Sequence, residues 1–288
     1  MNLDALVEDL DAYFRVQDVR GDDWGKTFEQ VYPEPYWREY SVPGWEGRWN
    51  GLVVRGAEEV GRVATCVFPS DRIVAGLKPA TFVFTEHPLD FADEPGFLPL
   101  SLESYELMRE NGISLYNVHA PLDMHPEVSP SRLCAQGVGL ERLEEYFPIC
   151  EGIPGGAVVA GDSQLTVDGL ADALRSFLGS EIKVHVLTRA RGEAGRVAMA
   201  AGGGAVVEIL EAALERGCQT YVTGNAATNC RLDFVQEQVS AFRARADAAG
   251  VTLIDAMHYG MEKPPQLAML DWFRARGLDA QFVPDGPK

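Results

Sequence analysis

From Gly51 onward, short apolar runs of β-like character alternate with stretches whose apolar residues recur at helical spacing. That alternation constrains the fold more than any other feature. Strands interleaved with helices bury their faces by forming a parallel or mixed sheet with helices packed on it, so the expected class is α/β. The expected strands are Arg62 to Phe68, Thr81 to Phe84, Ile113 to Val118, Ile182 to Thr188, Arg196 to Ala200, Thr220 to Val222 and Val251 to Asp255. Ala205 to Arg216 and Asp233 to Ala249 are expected helices, and Leu3, Leu6, Val7, Leu10 and Phe14 mark an amphipathic helix at the start. The Pro- and aromatic-rich stretch QVYPEPYWREYSVPGWEGRWN (30–50) breaks both periods. It is expected to be an irregular excursion that covers a site or packs at an interface. The glycine-rich EGIPGGAVVAGD (151–162) is the best internal boundary. The chain then divides into a divergent segment 1–48, a first α/β portion 49–150 and a second 151–288, with the C-terminal strand and helix packing back on the first.

Charge narrows the partners. Against 43 Asp and Glu stand 25 Lys and Arg, a formal charge of -18 over 288 residues. Such a surface repels phosphate backbones and attracts cations, so direct nucleic-acid binding is disfavoured. The five cysteines are widely scattered and form no CxxC pair, which indicates neither a disulfide framework nor a thiolate zinc site. The acidic, amphipathic N-terminus is wrong for a signal peptide, and no apolar run reaches the length of a membrane span. The expectation is a cytoplasmic protein with no membrane association.

In α/β architectures ligands gather outside the carboxyl ends of strands. Three expected strand ends carry a histidine beside a carboxylate: Glu86 and His87, then His119 with Asp123 four residues on, then His258 with Glu262 at the same spacing. A single strand-end histidine is more often a hydrogen-bonded structural residue than a ligand. Three such pairs among five histidines point instead to a metal site, because imidazole plus carboxylate suits zinc, iron or manganese, and carboxylates bridge paired ions. Around the last pair, in DAMHYGMEKP (255–264), Pro264 and Pro265 argue against one continuous helix. A short turn carrying His258 and Glu262, then a helix from Pro264 toward Arg276, is expected. Gly202, Gly203 and Gly204 form neither a dinucleotide fingerprint nor a P-loop, and a tight turn is expected there.

Six segments, in order, carry a family resemblance: WNGLVVRG (49–56), TEHPLDF (85–91), YNVHAPLD (116–123), RVAMAAGGGA (196–205), YVTGNAATNC (221–230) and LIDAMHYGME (253–262). Together they resemble the dinuclear-metal proteins related to the yeast Nif-three protein, also called type-two GTP cyclohydrolase I homologues. The resemblance implies a Nif-three-like fold of two intertwined α/β portions with mixed sheets. It implies a ring-shaped homo-oligomer of six copies, and metal ligands at Glu86, His87, Asp123, His258 and Glu262. Glu86 departs from the family pattern, which has histidine there. The harder, more anionic ligand set shifts the expected pair of divalent ions toward manganese, iron or magnesium relative to zinc. The alternative is that Glu86 leaves one ion per chain. The stretch Asn225 to Cys230 departs too, carrying no histidine, so the cavity it lines should differ.

Two ions sharing a water would lower its pKa toward neutrality and give a metal-bound hydroxide. The expected function is a metal-dependent hydrolase acting on a small phosphorylated or nucleotide-like substrate. His119 is expected to orient a ligand carboxylate or water, and His119 or Tyr259 to relay a proton. Asp255 is expected to support its strand end or hydrogen-bond His258, and His125 to lie at the surface. The competing expectation is a metal-binding ring with a regulatory, protein-interaction or storage role and no catalysis.

Overall fold

The computed structural model describes residues 1–19, 24–188 and 192–284. Two mixed sheets carry the chain, as the alternation of strands and helices requires. The first has the order Gly51–Val54, Ser114–Asn117, Thr81–Thr85, Arg62–Cys66 and Asp279–Phe282. Its last four strands run parallel, and Gly51–Val54 closes one edge antiparallel to Ser114–Asn117. The second has the order Glu141–Tyr146, Val158–Asp162, Arg196–Ala200, Thr220–Thr223, Thr252–Asp255 and His185–Val186. Neighbouring strands pair in parallel only among Arg196–Ala200, Thr220–Thr223 and Thr252–Asp255.

Buried runs explain the centre of each sheet. Thr81–Thr85 is buried at every residue, as a central parallel strand covered on both faces must be. One face of the first sheet packs Phe82, Phe84 and Tyr116 against Leu3, Leu6, Leu10 and Phe14 of the helix Leu3–Tyr13, and against Phe273. The other face packs Val83 and Leu115 against Trp24, Phe28, Trp37, Trp45 and Trp49. The Pro- and aromatic-rich excursion is therefore core-forming cover for that sheet. In the second sheet, Ala198 and Tyr221 face the helices Val207–Glu215 and Asp233–Ala249, while Val197, Met199 and Ile254 face Val167–Leu178.

The two sheets share the helix His258–Arg274. It leaves the second sheet after Thr252–Asp255, and the chain beyond it enters the first sheet as Asp279–Phe282, parallel to Arg62–Cys66. This is the intertwining expected of the fold. The helix itself corrects the sequence expectation: it runs unbroken through Pro264 and Pro265 rather than starting at them. A proline removes the intrahelical bond to the carbonyl four residues earlier, and at Met261 the Cys134 thiol, 3.5 Å from that carbonyl oxygen, replaces it. Burial of both prolines supplies the remaining stabilisation. The stretch 151–162 also differs from a plain boundary, since its second half, Val158–Asp162, is a core strand paired on both sides. No helix among the described residues is long and apolar enough to cross a membrane.

Candidate metal centre

The carboxyl ends of the parallel strands of both sheets converge, and the strand-end residues meet there. Glu86 and His87 follow Thr81–Thr85, a turn fixed by the Thr85 hydroxyl donating to Val67 O at 2.8 Å and by His87 N donating to the same carbonyl. His119 caps the four-residue helix Ala120–Asp123, so Asp123 stands one turn beyond it on the same side. The backbone of His119 is held by Asn50, whose Oδ1 accepts its N–H at 2.7 Å. Asn117 is held in turn, its amide donating to Trp49 O and its oxygen accepting from Trp45 Nε1, both at 2.9 Å. The segment WNGL thus positions the His119 loop without touching the ligands.

His258 opens the long helix, and Glu262 lies one turn on. Met257, just before it, has φ 60° without being glycine, a conformation that needs support. Asp255 provides it, its carboxylate accepting from Met257 N at 3.0 Å and from Ala227 N at 2.9 Å. Gly202 meets a different constraint. Its φ is 59°, and a Cβ there would collide with Glu262 Oε1, so the glycine-rich turn serves close approach to the carboxylate.

Glu262 is the hub. Its Oε2 lies 2.7 Å from His87 Nε2 and its Oε1 2.8 Å from His258 Nε2. Ligand atoms of His87, His258 and Glu262 all fall within 4.8 Å of one another. Burial pushes the Glu262 carboxyl up, but His258 and His87 outweigh it and hold the group below the usual carboxylate range. Burial also drives His87 down to about 4, against the pull of Glu262, so its ring is neutral at pH 7. A neutral imidazole beside an ionised carboxylate is the protonation state that binds a cation.

The donor set fits an ion on a second count. Glu86 is fully buried, yet neither carboxylate oxygen has a hydrogen-bond partner among the described residues, and the His258 Nε2 contact is too poorly aligned to be a hydrogen bond. Burial, then the charges of Glu262 and Asp123, raise the Glu86 carboxyl well above its ordinary range. A divalent ion would relieve that repulsion. Asp123 is the more accessible carboxylate, with His119 Nε2 4.0 Å from its Oδ2, beyond hydrogen-bond distance.

Three cavities adjoin the cluster, and two of them reach His119. One, of about 180 Å³, is walled by Trp24, Phe91, Phe97, His87, His119 and Asn225. The other, of about 190 Å³, touches His119, Asp123, Glu262, Gly203 and Gly204. His119 therefore stands at both. Trp24 packs edge-on against His119 and His87, with ring centroids 4.9 and 5.4 Å apart, so the N-terminal segment reaches the site. Two expected residues lie elsewhere in character. Tyr259 is buried in the apolar cluster of the second sheet, and His125 is buried too, its Nδ1 accepting from Glu127 N and Val128 N. Burial replaces the surface position expected for His125, because its ring ties down the turn after Asp123. Trp24 and Gln266, both at the site, escaped sequence reasoning: one sits in an irregular segment and the other in a helix interior, and neither carries a pattern.

The family model described as Duf34/NIF3 (NGG1p interacting factor 3) matches residues 45–282. A Yersinia pestis protein named GTP cyclohydrolase 1 type 2 homolog is 27% identical over 238 residues, covering 81% of this chain and 88% of its own length. A Pseudomonas aeruginosa protein of the same name is 28% identical over 232 residues, covering 79% and 84%. Among solved structures, a Thermus thermophilus protein superposes with a TM-score of 0.64 at 25% identity, over 100% of this chain and 99% of that one. A protein called ybgI, of unknown function, gives a TM-score of 0.68 at 20% identity over 99% and 100%.

Proposed function

The chain belongs to the Duf34/NIF3 family, and from that premise we propose a metal-dependent hydrolase with a dinuclear centre, acting on a small phosphorylated or nucleotide-like substrate. The observation that carries the reading is the buried cluster of His87, His258 and Glu262 beside a fully buried, unpartnered Glu86, open to two cavities through His119. Two divalent ions there, of manganese, iron, magnesium or zinc, would acidify a water and polarise the substrate oxygen it attacks. Glu86, His87, Asp123, His258 and Glu262 would hold them. The name shared by the bacterial relatives favours a nucleotide-like substrate.

The chain's own residues supply the rest. Glu262 holds the His87 ring by a hydrogen bond and stands 2.8 Å from His258 Nε2, and Gly202 lets that carboxylate approach. His119 lines both cavities, which supports a role in moving a proton between substrate and solvent. Tyr259, held in apolar packing beside His258, is the weaker candidate for that relay. Trp24, Phe91 and Phe97 form an apolar wall of the cavity on one side of the cluster.

The test is a screen of manganese-loaded protein against nucleotides and phosphoesters beside Asp123→Ala. Turnover that falls at least about 100-fold in the variant supports the reading, as does a count of two ions per chain. Equal turnover in the variant discards the site, and one ion per chain discards the dinuclear form. The family description as an interacting factor favours a second reading, a metal-holding ring of six copies with a protein-interaction or storage role. It predicts bound metal with no turnover of any compound in the same screen.

A further inference from the structure

Gln266 is fully buried, and neither its amide oxygen nor its amide nitrogen has a hydrogen-bond partner among the described residues. A primary amide offers two donors and two acceptor sites, and leaving it unpaired costs about 1–3 kcal/mol. A leucine would fill apolar space at that point on the helix with no such penalty. Gln266 lies one helical turn past Glu262, so the two share a face. Its backbone is fixed, since its carbonyl accepts the Thr65 hydroxyl at 2.9 Å. Its amide lies against Glu86, whose two oxygens are equally without a hydrogen-bond partner among the described residues. Two buried polar groups thus sit close enough to interact, yet neither completes a hydrogen bond of good geometry, beside a cluster of ligand-type side chains.

Resting on the reading that Glu86 is a metal ligand, we propose that Gln266 is a positioning residue for it. In the ion-bound centre the amide N–H holds one Glu86 oxygen and turns the other toward the ion. The pair then does what an imidazole would do with one ring nitrogen on the ion and the other on a fixed partner. A carboxylate held in this way, beside Asp123 and Glu262, favours a hard oxygen-seeking ion such as manganese or magnesium over zinc.

The test is ion binding, not turnover. Manganese and zinc affinities are measured by competition with a chelating dye, with metal counted by mass spectrometry, for the wild type, Gln266→Leu, Glu86→Gln and the double variant. Gln266→Leu should weaken manganese binding about 10- to 100-fold and zinc binding much less, while the thermal stability of the metal-free protein holds or rises. In the Glu86→Gln background the same change should have no further effect. Manganese affinity within twofold of wild type in Gln266→Leu would overturn the assignment, as would an equal loss in both backgrounds. If Asp123→Ala also leaves ion uptake unchanged, the metal-centre reading itself fails; if Asp123→Ala loses ions while Gln266→Leu does not, only the role of Gln266 fails.

Discussion

At the scale of single residues, the site opposes stability to binding. Glu86 is buried without a partner among the described residues, next to Asp123 and Glu262, and burial and then those charges raise its pKa. A carboxyl whose folded pKa is raised holds a proton that the unfolded chain releases above the ordinary carboxylate range. Its contribution to stability is therefore greatest in acid and is lost as pH rises toward the folded value. Glu86→Gln keeps the shape and removes that liability. The metal-free variant should be more stable than the wild type at pH 7 by about 1–3 kcal/mol, and the gap should shrink as pH falls toward 4.5 and be largely gone below it. Urea melts of metal-stripped protein at pH 4 and pH 7 check it; a variant less stable at pH 7 would show that Glu86 is already paired without metal. His258 and Glu262 were legible as a pair because one helical turn separates them, and Glu86 and His87 because a strand ends there. Gln266 was not, since nothing in the sequence reveals that a helix interior will face a buried carboxylate.

Among the elements, the helix His258–Arg274 is the one whose sequence argues most against it. Its prolines pointed to a break, and the break does not occur, because the Met261 carbonyl freed by Pro265 meets the Cys134 thiol and both prolines are buried. Cys134→Ala should leave that carbonyl unpaired and cost about 1 kcal/mol beyond the lost packing. Pro265→Ala restores an intrahelical N–H, so in the Cys134→Ala background it should recover about that amount, and in the wild type less. A double-mutant cycle by urea denaturation measures the difference, and strict additivity would deny the thiol its role. The central strands were legible because burial on both faces leaves unbroken apolar runs, as in Thr81–Thr85 and Thr220–Thr223. Glu141–Tyr146 was not: it is an edge strand, exposed along most of its length, and charged residues there blunt the edge without writing an apolar pattern. Asp279–Phe282 was hidden too, being a short edge strand with exposed polar residues.

Across the whole molecule, the candidate ligands come from both halves. Glu86, His87 and Asp123 stand on the first sheet's loops, whereas His258 and Glu262 begin the helix that leaves the second sheet. An ion bound among them would tie the two sheets together beside the shared helix and the apolar packing of Val67 and Phe68 on the second sheet, so binding should stabilise the folded chain as a unit. At a free concentration 100 times Kd that linkage is worth about 2.7 kcal/mol, or roughly 4–5 °C in Tm for a chain of this size. The -18 charge complicates the measurement, since it gathers cations without any site. Ionic strength separates the two contributions: roughly 0.5 M potassium chloride screens the diffuse attraction but scarcely touches coordination in a buried cluster. Calorimetric melts in that salt should show the rise with manganese, its loss with a chelator, and no rise in Asp123→Ala. A rise that disappears with salt, or that persists in the variant, would place the cations on the acidic surface instead of between the sheets.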